Sequence, residues 1–504
     1  MKRVLDGLRT YAPVLPLILL AAANGVLSTA FLEADDVAHF EYSRWAVVHP
    51  DAILEVWGRP LITLFYLVPA QFGPEAARLW SLSLGVAAAL LAGRLAERLG
   101  AKRPATAALA TLSMPYAFVQ SYAIMTELFF SVVLATGVLF WRDRRFTAAV
   151  LTLTWLPLAR PEGFFLGVFF GLAALLDSKL TAAFGGRCSP RRFGLALGLG
   201  TGTVAWWLAG LPVYRSADWL IQRWPKNWGA ESPYGEGRPN PLFFLAFLAL
   251  VVTPPLVPAF VAGVRRMWTS RFRLEILTIG FIVVLHSVLW TFRLFGSAGY
   301  PRYLVTLAPL LGAATGLGLD GFLDRLARRG PALADPVAES ARVERRASKF
   351  LLSGALLAAC MILLWPNARP YHGDIDVKTL KASAAWFLKT YPEPDRRPFV
   401  VVDHPAFRPE ADVDADGRSS RFEPLPLAFA PIGSVAVWET KFAARYSKVS
   451  RADLARLGFE EVPKRDVAGE PPYSWDGPRP TFPDPELDAY DWGVFIRARI
   501  PSTR

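Results

Sequence analysis

The apolar run Tyr11–Leu32, YAPVLPLILLAAANGVLSTAFL, leads directly into Glu33–Pro60, EADDVAHFEYSRWAVVHPDAILEVWGRP, and this succession decides the fold. The first stretch is near the ~20 apolar residues that cross a bilayer. Lys2, Arg3 and Arg9 precede it, which assigns the N-terminus to the cytoplasm and the second stretch to the outer side. Ala21-Ala22-Ala23 resembles a cleavage site, but the apolar run continues past it, so a retained span is expected. Beyond the span Asp35 and Asp36 stand side by side, followed by His39, Glu41 and Arg44, and by Arg59-Pro60 where the chain turns back. Carboxylates so close to a membrane need a partner or a task. The plainer alternative is that the pair starts an amphipathic helix near Val37, where acidic side chains are favoured.

Of 504 residues, 53% are hydrophobic and 19% charged, with the apolar ones in long runs, as in an integral membrane protein. The net charge of +12 does not mark a nucleic-acid surface. Its basic residues lie in short clusters between apolar runs, as the positive-inside bias requires, and no nucleic-acid recognition module is readable. Cys188 lies in a basic loop and Cys360 in an apolar run, so neither a disulfide framework nor a zinc site is implied.

Laying the apolar runs out by this bias gives an all-α polytopic bundle of about eleven spans. Arg59–Gly73 is too short to span and reads as an interfacial helix. Arg78 opens the next span, either snorkelling or binding a ligand. Glu127 lies at an external turn, either as a charge at a helix start or facing a cavity. Phe146–Leu176 is interrupted at Arg160-Pro161-Glu162-Gly163 and reads as a hairpin of two short helices, whose tip survives in a membrane only if it lines a cavity. The plainer alternative is an Arg160–Glu162 ion pair that stabilises the kink; the two readings are compatible, since a paired arginine still presents donors to a phosphate. The loop Arg215–Asn240 carries Trp219, Trp224, Trp228 and Tyr234, either an interfacial belt or a lid. Arg302 and Tyr303 follow in GSAGYPRY, at the start of another descending span. On this layout Asp35, Asp36, Arg59, Arg78, Glu127, Arg160, Glu162, Arg302 and Tyr303 all belong to external ends or turns.

The ordered features of residues 1–320 resemble the polytopic glycosyltransferases that use lipid-phosphate sugars: protein O-mannosyltransferases, aminoarabinose transferases and GPI mannosyltransferases. The resemblance is strongest at Asp35-Asp36 after the first span, with the basic residue and proline at Arg59-Pro60. The Arg-Pro-Glu-Gly hairpin, the arginine opening the span at Arg78 and the Pro-Arg-Tyr-Leu opening at Arg302 add to it. It implies an inverting transferase with Asp35 as general base, Asp36 as its orienting partner, and His39, Arg59, Arg78, Glu127, Arg160, Glu162, Arg302 and Tyr303 binding substrate. The donor is a polyprenyl-phosphate sugar, mannose-like, and the acceptor a lipid, glycan or protein. A divalent cation at the Asp pair is a further expectation, and bacterial inner membrane the expected location. A secondary transporter would show repeated halves, which are not apparent. A non-catalytic envelope assembly protein would not need the carboxylate pair.

The remaining sequence divides into a basic cytoplasmic linker at 321–349, a last span at 350–365 and an extracytoplasmic segment at 366–504. In the last, strand-like Phe399–Asp403 and Trp492–Ile500 alternate with helical Lys378–Thr390 and Arg451–Leu457, as in a small α/β domain. Within it DVDADGRSSRFE has the spacing of an EF-hand calcium loop: Asp412, Asp414, Asp416, the Arg418 carbonyl and Glu423 would be the ligands. Flanking prolines at 405, 409, 424 and 426 oppose the two helices of a true EF-hand, so a solvated acidic turn is the competing reading.

Overall fold

A computed structural model gives the structure of the chain. It describes residues 10–176, 189–224, 240–269, 273–292, 294, 297, 299–328, 364, 369–372, 375–402, 404, 406–411, 427–444, 449–468 and 491–499.

Prolines set where many helices begin. Pro60, Pro74, Pro104, Pro115 and Pro190 each open a helix, where the absent N–H is not needed and φ is already helical. They also cut apolar runs that composition alone joins. The apolar run Pro104–Tyr122 forms Pro104–Leu112 and Pro115–Gln120. The apolar run Pro241–Val264 falls into Phe243–Val252 and Pro254–Thr269, bent by 91° at Thr253. Among the described residues three helical stretches are long and apolar enough to cross a membrane: Pro74–Arg98, Arg273–Thr291 and Pro301–Arg325. Counting two bent pairs as one span each raises this to five. The count of about eleven spans is therefore not confirmed among the described residues, where the broken runs fall below the ~20 residues a straight span needs. The expected last span at 350–365 lies almost wholly outside the described residues, as do 329–349 of the linker.

The chain forms two units, Met1–Leu27 with Tyr42–Pro370, and Ser28–Glu41 with Tyr371–Arg504. In the first, helix Ala308–Arg328 packs against Val257–Thr269, Pro104–Leu112 and Pro74–Arg98. Its crossing with Val257–Thr269 needs glycine: a Cβ on Gly263 would collide with the Ala314 carbonyl, and one on Gly318 with that of Ala259. Membrane helices approach this closely only through small residues. Ion pairs tie helix ends together, Arg103 to Asp320 at 2.6 Å, Lys102 to Asp324 at 2.7 Å and Arg142 to Glu275 at 2.9 Å.

The second unit holds a four-stranded sheet, β1 (Val400–Val402), β2 (Val435–Glu439), β3 (Phe459–Glu461) and β4 (Trp492–Arg497), in the order β1-β2-β4-β3. β1 and β2 are parallel; β4 is antiparallel to both its neighbours. Val401, Ala436, Trp438, Leu454, Phe459 and Phe495 form the core. Helices Ile375–Thr390 and Arg451–Arg456 coincide with the helical patterns of the sequence. The second is started by a reciprocal cap: Ser450 Oγ accepts from Asp453 N at 3.1 Å and Asp453 Oδ2 accepts from Ser450 N at 3.0 Å.

Candidate active site

Arg160 precedes a proline and is therefore held extended, at φ −159° and ψ 152°. That breaks the chain between Leu156–Ala159 and Glu162–Leu176 and turns the guanidinium into a buried cluster. Its Nη2 donates to Glu162 Oε1 at 2.8 Å, and its Nε lies 3.2 Å from both carboxylate oxygens of that residue. Nη1 donates to Thr126 Oγ1 at 2.6 Å and sits 2.9 Å from Glu127 Oε1, an ion pair rather than an aligned hydrogen bond. Glu127 Oε2 accepts from Gln120 Nε2 at 3.2 Å, and Arg302 Nε lies 3.5 Å from Glu127 Oε1. The guanidinium of Arg160 faces the Tyr303 ring at 5.2 Å.

His286 belongs to the same cluster and was not anticipated. It is buried in helix Arg273–Thr291, stacks on Tyr303 at 5.2 Å, lies tilted against the Phe244 ring at 5.3 Å, and places Nε2 3.4 Å from Glu162 Oε1. The legible signal is an ionisable residue inside an apolar helix, IVVLHSVLW. Two carboxylates therefore meet two guanidiniums in a buried site, the balance that makes such burial tolerable. Both carboxylates stand in the first turn of a helix, where the backbone N–H groups favour negative charge.

Arg59 and Arg78 are also buried. Arg59 has φ 62°, strained for a residue with a Cβ. Its Nη1 donates to Val56 O at 2.7 Å, and its guanidinium lies 5.7 Å from each of the Trp57 and Trp224 rings. Arg223 pairs with Glu55 at 3.0 Å and Trp206 Nε1 donates to Leu54 O at 3.0 Å, so one residue within the expected lid and one before it pack on the Leu54–Arg59 stretch. Trp228 and Tyr234 lie outside the described residues. Arg78 is 3.9 Å from Glu75.

Asp35, Asp36 and His39 belong to the second unit. Helix Ala34–Trp45 begins three residues before the expected start near Val37, so both aspartates lie in its first turn. Asp36 is fully buried and its Oδ2 accepts from Leu32 N at 2.7 Å, a contact to the chain ahead of the helix rather than the N-cap of the plainer reading. Asp35 is half-buried and His39 buried. Among the described residues no group of three or more His, Cys, Asp or Glu could hold a metal ion, so the cation expected at the Asp pair lacks such a ligand set there. The calcium-loop ligands Asp412, Asp414, Asp416, Arg418 and Glu423 lie outside the described residues.

No protein-family model and no curated protein matches the sequence. Among solved structures, the chain is similar to ArnT from Cupriavidus metallidurans bound to undecaprenyl phosphate, with TM-score 0.60 and 15% identity over 97% of this chain and 98% of that one. For ArnT from the same organism in the apo state the values are 0.57 and 14%, over 90% and 96%. The archaeal oligosaccharyltransferase AglB from Archaeoglobus fulgidus, in complex with an inhibitory peptide and a dolichol-phosphate, follows at TM-score 0.47 and 14% identity, over 80% and 64%. The chain shares the fold of these ArnT structures over nearly its whole length.

Proposed function

We propose that this protein is an inverting glycosyltransferase of the bacterial inner membrane that moves a hexose, mannose-like, from a polyprenyl-phosphate sugar to an extracytoplasmic acceptor. The observation that carries the reading is the fold shared over nearly the whole chain with an ArnT that holds undecaprenyl phosphate. Asp35 takes the acceptor hydroxyl proton as that oxygen attacks the anomeric carbon. The bond from that carbon to the phosphate oxygen breaks, and the polyprenyl phosphate leaves from the opposite face with the electron pair. The different exposure of the two aspartates favours this division of roles: Asp36 is buried and committed to Leu32 N, whereas Asp35 is half-buried.

The leaving phosphate gains charge in the transition state, and preformed guanidinium donors are suited to stabilise it. Arg59, Arg160 and Arg302 are assigned that role. The fork of Arg160 is already engaged by Glu162, Thr126 and Glu127, so its contribution is chiefly a fixed positive charge. His39, Arg78, Glu127, Glu162 and Tyr303 complete the substrate-binding set, and His286 joins them through Glu162 and Tyr303. A general base contributes roughly 10²–10⁴-fold. In nanodiscs supplied with polyprenyl-phosphate mannose and membrane acceptor, Asp35→Asn should therefore lower transfer by at least about 10²-fold at unchanged expression. Full activity in that variant removes Asp35 as base.

A further inference from the structure

The segment that carries Asp35 and Asp36 is fastened within its own unit at both ends. At its start Thr29 N donates to Tyr371 O at 3.1 Å, and Tyr371 N donates to Ser28 Oγ at 3.2 Å. Thr29 Oγ1 is hydrogen-bonded to His372 Nδ1 at 2.9 Å, and Lys381 Nζ donates to Thr29 O. At its end, buried Glu41 faces Arg408 Nη1 at 4.0 Å. Lys381 stands on helix Ile375–Thr390 and Arg408 on the short helix Phe407–Ala411. These two helices pack together, with the Phe387 and Phe407 rings 6.0 Å apart, and Lys381 lies 3.5 Å from Glu410.

Two attachments, one ahead of the helix at Thr29 and one within it at Glu41, flank the carboxylate pair and fix both its position and its direction, which one attachment does not. A buried carboxylate also strongly resists losing its cation. We infer that the C-terminal α/β domain is the mount of the carboxylate pair, with Arg408 acting through Glu41, and His372 through Thr29, as positioning residues for the transfer. This rests on Asp35 being the base. It gives the domain a task in catalysis itself: a misplacement of about 1 Å in a reacting group is enough to cost on the order of 10²-fold in rate.

The test uses the full chain in nanodiscs with polyprenyl-phosphate mannose as donor. Arg408→Ala should lower kcat by about 10- to 100-fold while donor KM stays within about threefold. It should also raise hydrogen exchange in residues 28–41, and Arg408→Lys should recover most of the lost kcat. Because Arg408→Ala removes packing as well as charge, the shape-conserving variants Glu41→Gln and Arg408→Gln provide the second arm. Acting through one contact, they should be non-additive, so that the double variant is no slower than the slower single one. Unchanged kcat in Arg408→Ala overturns the mount, whether or not exchange rises, and so do losses that multiply in the double variant. Full activity in Asp35→Asn overturns the base instead, and the exchange and coupling arms still read the attachment.

Discussion

Arg160 in the helical unit and Arg451 in the sheet domain each hold two carboxylates, in opposite surroundings. Arg160 is buried, and so are Glu127 and Glu162. Arg451 reaches Glu461 at 2.6 Å and Asp491 at 2.7 Å with side chains that are 30%, 39% and 59% exposed, its guanidinium 4.8 Å from the Trp438 ring. In the first case desolvation makes each charge depend on its partners, and such an arrangement persists in a membrane protein where it serves a function. In the second, water and salt already satisfy the charges, and the pairs merely decorate a domain held by its apolar core. Similar distances therefore carry different weight.

The comparison is most easily broken at Arg160. Arg160→Met leaves Glu127 and Glu162 buried without their shared cation, and stability should fall by roughly 3–5 kcal/mol, read by denaturation in detergent. A loss below about 1 kcal/mol, the level of a surface pair, would mean that the cluster is solvated and the distinction is empty. Arg302→Lys sharpens the functional half. It keeps the charge but loses the planar fork, so kcat/KM for the proposed lipid-phosphate donor should drop by about 10- to 100-fold, in line with the roughly 1.5–3 kcal/mol of a hydrogen bond to a charged group. An unchanged value assigns Arg302 to packing alone.

Smaller effects are expected in the sheet domain. Glu461→Gln removes one exposed partner of Arg451 and should cost at most about 1 kcal/mol; a loss as large as that of Arg160→Met would erase the contrast. The smallest concerns Asp453, whose carboxyl is held below its ordinary value of 3.8 by the hydrogen bonds from Ser450. A lowered folded-state value means that the stabilisation is present above the unfolded carboxyl's pKa and disappears as pH falls through the folded one. Protection of helix Arg451–Arg456 against hydrogen exchange, corrected for intrinsic rates, should therefore weaken only below about pH 4. Ser450→Ala removes one of those hydrogen bonds and should shrink that pH-dependent loss, and a pH profile identical to the unsubstituted chain would remove the cap from the account.

Much of the buried cluster was legible because its residues break local rules. Arg160 and Glu162 interrupt an apolar run at a proline, Arg302 follows another proline, and Glu127 stands at the start of an apolar helix. His286 breaks the same rule inside Arg273–Thr291, without a proline or glycine beside it to draw attention. β2 was also missed: Val435–Glu439 is short, and its buried central position becomes apparent only when β1 and β4 flank it.

The sequence by itself determined the class of this protein: long apolar runs, basic clusters between them, the Asp pair after the first run and an α/β tail are all properties of neighbouring residues. Only the tertiary structure decided that Glu127, Arg160, Glu162, His286, Arg302 and Tyr303 share one buried cluster, and that residues 28–41 belong with the C-terminal domain. Hydropathy and helix-start signals act over a few turns of chain. Which carboxylate meets which guanidinium depends on how helices pack across gaps such as the sequence separation of 133 from Arg142 to Glu275, where side-chain shape and desolvation, not sequence proximity, select the partner.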